Sequence, residues 1–203
     1  MLDRQHTQSI FENKPLNISP MAYVSLDQFH DGATISLATD DKTLIDHQVS
    51  CYAQALERAE DLYRSVRFAG QISRFLSWLF HQPAHLMDVS EIVPDENVPY
   101  HLSGWKYVPI SRISVSETCN HDFDFAFNPL NDQNRTRWIN IAALYFLGVE
   151  LPPVDLLQVD NTYIVRDGHY RISAARALGQ DNIDACVTKL HYPSKKPLGN
   201  RSN

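Results

Sequence analysis

Apolar residues recur at steps of three and four between residues 45 and 79, which constrains folding more than any other feature of this chain. They are Ile45, Val49, Tyr52, Leu56, Ala59, Tyr63, Val66, Ala69, Ile72, Leu76 and Leu79. This spacing places side chains on one face of an α-helix, so it predicts one long helix, or two helices broken near Gly70, ending before Pro83. The period of about 3.5 also suits a two-chain coiled coil. Irregular flanking charges favour packing within the chain instead.

The composition is that of a folded protein with one domain and appendages. The chain has 203 residues, 43% of them hydrophobic and 21% charged, with a net charge of −6. Nucleic acid is held by clustered Lys and Arg, so the acidic balance argues against attraction over the whole surface. Cys51, Cys119 and Cys186 are odd in number and widely spaced, which predicts reduced thiols. No targeting or membrane-spanning pattern is seen, so we expect a cytoplasmic location without membrane binding.

Composition divides the chain into four parts. Residues 1–40 have no sustained period and are predicted to be variable or partly disordered. Residues 41–95 form the predicted helical region, residues 96–190 the predicted domain, and the basic residues 191–203 a predicted flexible tail.

The second half of the chain alternates element types. Residues 108–113 are predicted to form a strand, and residues 135–147 a helix stopped by Gly148. Residues 154–159 and 163–166 are predicted strands joined at an Asp-Asn turn. A helix after Gly168 and a strand over 183–190 complete a β-α-β-β-α-β order, which predicts a small mixed sheet in an α+β domain.

The predicted core of this domain combines both sequence periods. It consists of Phe125, Phe127, Trp138, Ile141, Val154, Leu156, Ile164, Val165, Ile172, Ala175 and Val187.

The joint before the last predicted helix contains an unusual number of charged and titratable residues. It reads Arg166, Asp167, Gly168, His169, Tyr170 and Arg171. A glycine lets backbone approach a ligand, and the free amides of a helix start attract anions. Arg171 adds a cation suited to phosphate, His169 a group that can move a proton, and Asp167 a carboxylate for Mg²⁺ or for base catalysis. The alternative is an ordinary turn in which Asp167 caps the helix and Arg171 forms a surface ion pair.

Residues 151–190 resemble the core of the ParB/sulfiredoxin superfamily. The resemblance lies in LPPVDLLQVDNTYIVRDGHYRISAARALGQDNIDACVTKL, where a strand pair leads into a Gly-x-x-Arg turn and an Ala-rich helix. Upstream, YVPISRISVSETCNHDFDFAFNPL and RTRWINIAALYFLGVELPPV resemble a poorly characterised bacterial branch of ParB-like proteins. The resemblance extends over roughly residues 45–190.

The resemblance implies that the turn binds a nucleotide, namely ATP, ADP or CTP, with Mg²⁺. Gly168 and Arg171 match the shared positions, and Arg166 and Tyr170 would join them in binding. His169 stands where sulfiredoxin has its reactive cysteine, so sulfiredoxin activity is not expected. ParB proteins that load chromosomes carry a helix-turn-helix domain after the core, where here the tail follows, so operator reading is not expected.

Three functional hypotheses remain open. The first is a nucleotide-dependent phosphotransferase or hydrolase, with His169 and Asp167 as catalytic residues and Asp167 as the metal ligand. The second is a non-enzymatic, nucleotide-responsive regulatory module that contacts a second copy or another protein through the helix at 45–79. The less favoured third is a DNA-binding protein or nuclease, which would need Asp122, Asp124 and Asp167 to converge on metals, with Arg135, Arg137 and Arg166 contacting DNA.

Overall fold

The computed structural model describes residues 22–25, 34–37, 42–81, 86–88, 100–117 and 121–190. Its elements are β1 (Ala22–Ser25), β2 (Thr34–Leu37), α1 (Lys42–Phe80), β3 (Met87–Asp88), β4 (Tyr100–Pro109), a 3₁₀ turn (Ile110–Arg112), β5 (Ile113–Ser116), α2 (Arg135–Phe146), β6 (Val154–Val159), β7 (Thr162–Asp167), α3 (His169–Ala177) and β8 (Asn182–Leu190). The predicted tail and most of residues 1–40 lie outside the described residues. Within that first segment, β1 and β2 pair as antiparallel strands.

The main sheet has six strands in the order β3-β5-β7-β6-β8-β4. β7 pairs antiparallel with β6 and β8 pairs antiparallel with β4, whereas the other neighbours are parallel. The predicted β-α-β-β-α-β order appears as β5-α2-β6-β7-α3-β8, and β6 adjoins β7 as expected. The chain is therefore an α+β protein with a mixed sheet, to which β3 and β4 add strands beyond the predicted set.

Residues 108–113, predicted as one strand, comprise the end of β4, a 3₁₀ turn and the start of β5. β4 and β5 are not neighbours in the sheet. β4 ends at Pro109, and the 3₁₀ turn carries the chain to β5 between β3 and β7. The turn is held by distant groups: Ile110 N donates to Asp181 O at 2.9 Å, and Arg176 donates to the carbonyl of Ile110 at 3.1 Å. Because these partners are remote in sequence, the local alternation could not reveal the break.

In the described part of residues 41–95, which were predicted to be a helical region, the long helix α1 is followed by the short strand β3. α1 ends at Phe80 without a break at Gly70, and Met87–Asp88 pairs in parallel with β5. Gly70 is buried, and a Cβ there would lie 2.4 Å from the carbonyl oxygen of Pro129. The glycine therefore permits close approach of helix and loop rather than ending the helix. No helix among the described residues is both long and apolar enough to cross a bilayer.

The first half of α1 packs on α2, as the apolar stripe predicts. Ala55, Ala59, Leu62 and Tyr63 are buried against the core that lies between the helices and the sheet. Beyond Gly70 the side chains of the stripe no longer pack in the core, since Ile72, Leu76 and Leu79 are exposed. Intramolecular packing therefore accounts for only the first half of the predicted helix face.

The predicted core is buried except at Phe125, which is 61% exposed. The carboxylate of Asp124 is fully buried and accepts hydrogen bonds from the backbone amides of Ala126 and Asn128, each at 2.8 Å. This turn directs Phe127 into the core and leaves Phe125 outside. The prediction for Phe125 was wrong because a side-chain-to-backbone turn changes the facing pattern of its loop.

Candidate functional site

The joint between β7 and α3 requires a glycine for two separate reasons. Gly168 has φ of +102°, a conformation that side chains with a Cβ rarely adopt. A Cβ at this position would also lie 2.5 Å from Val154 Cγ1 on the adjacent strand β6. The turn is therefore pressed against the sheet, and α3 starts directly at His169.

We expect Gly168→Ala to destabilise the protein more than Gly179→Ala does. Both residues have positive φ, which costs about 1 to 2 kcal/mol for a residue with a Cβ, but no atom lies within 4 Å of a Cβ placed at Gly179. Urea unfolding of the two variants separates the steric cost from the backbone cost. Equal losses would show that Val154 moves aside without penalty.

A cavity of about 450 Å³ lies at this joint. Its lining consists of Arg137, Ile141, Pro152, Pro153, Asp167, Gly168, His169, Tyr170 and Arg171. No side chain caps the start of α3, so its first amides keep the donor character that suits an anion. Of the ordinary-turn alternative, the structure lacks the cap by Asp167 but has the ion pair of Arg171, whose partner is Asp167 itself.

Arg171 links residues that line different parts of the cavity through hydrogen bonds. Its Nη1 donates to the carbonyl oxygens of Pro152 at 2.7 Å and Pro153 at 2.9 Å, and its Nη2 donates to Asp167. Three of the five guanidinium N–H groups are thus committed to protein, which leaves two for a ligand. Arg171 is therefore a structural part of the site as well as a source of positive charge.

Arg137, which the sequence suggested only as a DNA contact, is a member of this site. It lines the cavity from α2, and its guanidinium lies over the ring of Tyr170 at 4.9 Å from the centroid. Its Nε is buried and has no hydrogen-bond partner. Arg135, two residues earlier, instead pairs with Glu60 at 3.1 Å. No sequence signal distinguishes the two arginines, because the difference is the direction in which each leaves α2.

His169 connects the cavity to the interior of the sheet. Its Nε2 is 2.8 Å from Oγ of Ser116, a fully buried residue at the end of β5. Burial lowers the pKa of His169 to about 4, against the opposing charges of Asp167 and Asp122. The imidazole is therefore neutral at pH 7. Sequence reasoning missed Ser116 because only the pairing of β5 with β7 brings it to the joint.

Tyr170 connects α3 to the loop before α2. Its hydroxyl donates to Oδ2 of Asp122 at 2.9 Å, and Asp122 also accepts from Asn131 at 2.7 Å and Asn134 at 3.3 Å. Burial, with this hydrogen bond, raises the pKa of Tyr170. The phenol is therefore protonated and holds the ring under Arg137.

Arg166, a predicted binding residue, is not among the residues that line the cavity. Its guanidinium donates to both carboxylate oxygens of Glu117, at 2.9 and 3.4 Å. A second carboxylate, that of Asp155, lies 3.9 Å away. Arg166 thus joins β7 to its neighbouring segments beside the site.

The carboxylates that a nuclease would need do not form a metal cluster. Asp124 is buried within its own loop, and Asp122 accepts hydrogen bonds from Tyr170, Asn131 and Asn134. Across the described ranges, no three His, Cys, Asp or Glu side chains are grouped to hold a metal ion. Among the described residues that line the cavity, Asp167 is the one carboxylate.

Comparison with known proteins gives a weak structural likeness. No family model matches the chain, and no curated protein matches its sequence. Among solved structures, sulfiredoxin from Arabidopsis thaliana is 23% identical over 41% of this chain and 82% of that protein, with a TM-score of 0.29.

Proposed function

We propose that this chain binds a phosphate-bearing ligand, such as ATP, ADP or CTP, in the cavity at Gly168. The observation that carries this is Arg137, whose buried Nε lacks a hydrogen-bond partner beside the uncapped start of α3. Buried polar groups in native proteins nearly always have partners, and because Arg137 also lines the cavity, an anionic ligand that draws its guanidinium toward the cavity would supply the missing one. The ParB/sulfiredoxin resemblance of residues 151–190 supports the same ligand class.

The cavity fits the ligand class in size and charge. Its volume of about 450 Å³ lies within the range of roughly 300 to 1,000 Å³ usual for small-molecule sites. Arg137 and the two uncommitted N–H groups of Arg171 supply positive charge, and the planar Tyr170 ring lies beneath Arg137. Mg²⁺ commonly binds through one or two carboxylates together with substrate phosphates, so Asp167 would suffice as the protein's contribution.

Binding without turnover is the form of this function that the chemistry of His169 favours. A group with a pKa of about 4 is a weak proton acceptor near pH 7. A phosphate beside the imidazole would raise that pKa, since negative charge stabilises the protonated ring. Phosphotransfer or hydrolysis that used His169 as its base would therefore need the ligand to raise this pKa, whereas a nucleotide-responsive regulatory module would not.

Calorimetric titration of ATP, ADP and CTP with and without Mg²⁺ tests the proposed function. We expect Arg137→Ala to weaken binding about ten- to a hundredfold, because one charge-assisted hydrogen bond contributes about 1.5 to 3 kcal/mol. Arg64→Ala is the matched control, since Arg64 is an exposed arginine on α1 that pairs with Asp61 at 3.0 Å.

One outcome tests whether nucleotides bind at all, and another tests whether Arg137 contacts them. If the wild-type protein binds none of the three nucleotides, nucleotide binding is wrong. If Arg137→Ala binds the nucleotide as tightly as Arg64→Ala does, the ligand does not contact Arg137. Phosphate release measured on the same samples distinguishes turnover from binding alone.

A further inference from the structure

The last three turns of α1 carry an apolar surface that the rest of the described structure does not cover. Its large side chains are 44 to 73% exposed. We call it the terminal apolar surface, and it consists of Phe68, Ile72, Phe75, Leu76, Trp78, Leu79 and Phe80 of α1 together with Phe125 of the adjacent loop. Single exposed apolar residues are common, but a contiguous patch of this kind marks an interaction site.

The spacing within this surface is that of a helix-pairing seam. Phe68, Ile72, Phe75 and Leu79 follow one another at steps of four, three and four, as the a and d positions of a coiled coil do. These four residues are all exposed, in contrast to Ala55, Ala59 and Tyr63 earlier on the helix. The seam is therefore available to a second helix along its whole length.

A groove runs beside this seam. It has a volume of about 320 Å³ and lies between α1 and the loop that contains Phe125. Its lining is formed mainly by Ala69, Ile72, Leu76, Phe80, Phe125 and Ala126. An apolar groove next to a seam can accept a large side chain from a helix that lies along α1, and Trp78 is the most exposed member of the surface.

The charge distribution suits an identical helix. Between residues 68 and 80 the only charged side chain is Arg74, and its Nη1 donates to the carbonyl of Leu130 at 3.4 Å. The positions that flank the seam are Ala69, Gln71, Leu76 and Trp78, so two copies would bring no like charges together. A strongly acidic or basic partner would gain no complementary charge from this segment.

The exposed area also matches what a dimer needs. Each aromatic side chain offers about 150 to 250 Å², so the exposed parts of the five aromatic and three aliphatic side chains amount to roughly 800 Å². A standard interface buries about 800 Å² on each partner. A two-fold dimer uses the same patch on both subunits, so this one surface would be sufficient.

We infer that two copies of this chain dimerise through the terminal apolar surface, seam against seam, with Trp78 of each copy in the groove of the other. This inference is independent of the proposed nucleotide site, because the site residues lie at the start of α3 and on α2.

Sedimentation of the full chain over a wide concentration range tests the dimer. We expect wild type to have twice the chain mass of 23.2 kDa. Phe75→Asp and Trp78→Asp should each raise the dimer dissociation constant at least about 30-fold, as expected for hot-spot aromatic residues. Both side chains are exposed in the monomer, so circular dichroism and thermal unfolding should show that the variants fold.

Trp105→Asp is the matched control, because Trp105 is 76% exposed on β4, away from α1. It should dimerise like wild type. A monomeric wild type at every concentration overturns the inference, as does a dimer that Phe75→Asp leaves intact. A monomer that binds lipid vesicles through Phe75 would likewise overturn it and assign the surface to a membrane.

Discussion

Replacing Tyr63 with alanine is expected to destabilise the protein by about 2 to 5 kcal/mol, in the range for large buried side chains. The ring is 2% exposed and packs edge-on against Trp138 with 5.3 Å between the centroids. Its single hydroxyl proton is shared between Asp132 Oδ1 at 2.9 Å and the carbonyl oxygen of Asn131 at 3.0 Å. The substitution leaves a cavity between α1 and α2 and removes this shared hydrogen bond. Urea unfolding measures the loss.

Two further variants separate the causes. Tyr63→Phe keeps the ring and removes the hydroxyl, so it should cost about 1 kcal/mol. Tyr107→Ala changes a tyrosine that is 69% exposed and should cost less than about 1 kcal/mol. If Tyr63→Ala is no more destabilising than Tyr107→Ala, the first half of α1 does not pack on α2 in solution. Leu56→Ala should fall near the lower end of the range, because Leu56 is only half-buried.

Acidification from pH 7 to pH 5 should remove about 2 kcal/mol of stability through His169 alone, given 1.36 kcal/mol per pKa unit. Burial lowers the pKa of His169 from 6.5 to about 4. Between these values the unfolded chain binds a proton that the folded protein excludes. The neutral imidazole's stability is therefore fully present above pH 6.5 and is lost as pH falls toward 4.

Urea unfolding of wild type and His169→Gln at both pH values isolates this effect. Glutamine can still donate a hydrogen bond to Ser116 but has no proton to bind in this range. Subtracting the two pH dependences removes the contributions of the other histidines and of the carboxylates. Parallel curves would mean that His169 is hydrated and titrates normally, which would contradict its burial against Ser116 and Phe123.

Elements with local signals could be predicted from the amino-acid sequence. The periodic apolar residues predicted α1 and α2, and the Asp160–Asn161 turn between two β-branched runs predicted the β6-β7 pair. Gly168 was identified as the joint before α3, because a glycine at a strand-to-helix turn marks backbone that side chains cannot adopt. Each of these signals depends on residues within a few positions of one another, so it can be read along the chain.

Which of these residues act together depends on how distant segments pack, and the sequence did not reveal it. Arg137 rather than Arg135 or Arg166 faces the cavity, and Ser116 meets His169 across 53 positions of sequence. Likewise, the apolar stripe on α1 is buried or half-buried from Tyr52 to Val66 and exposed beyond Gly70, because α2 and its preceding loop cover only part of the helix. Hydrophobic periodicity specifies a helix face without specifying what covers it. The partner of each face and of each charged group depends on contacts between segments far apart in the chain.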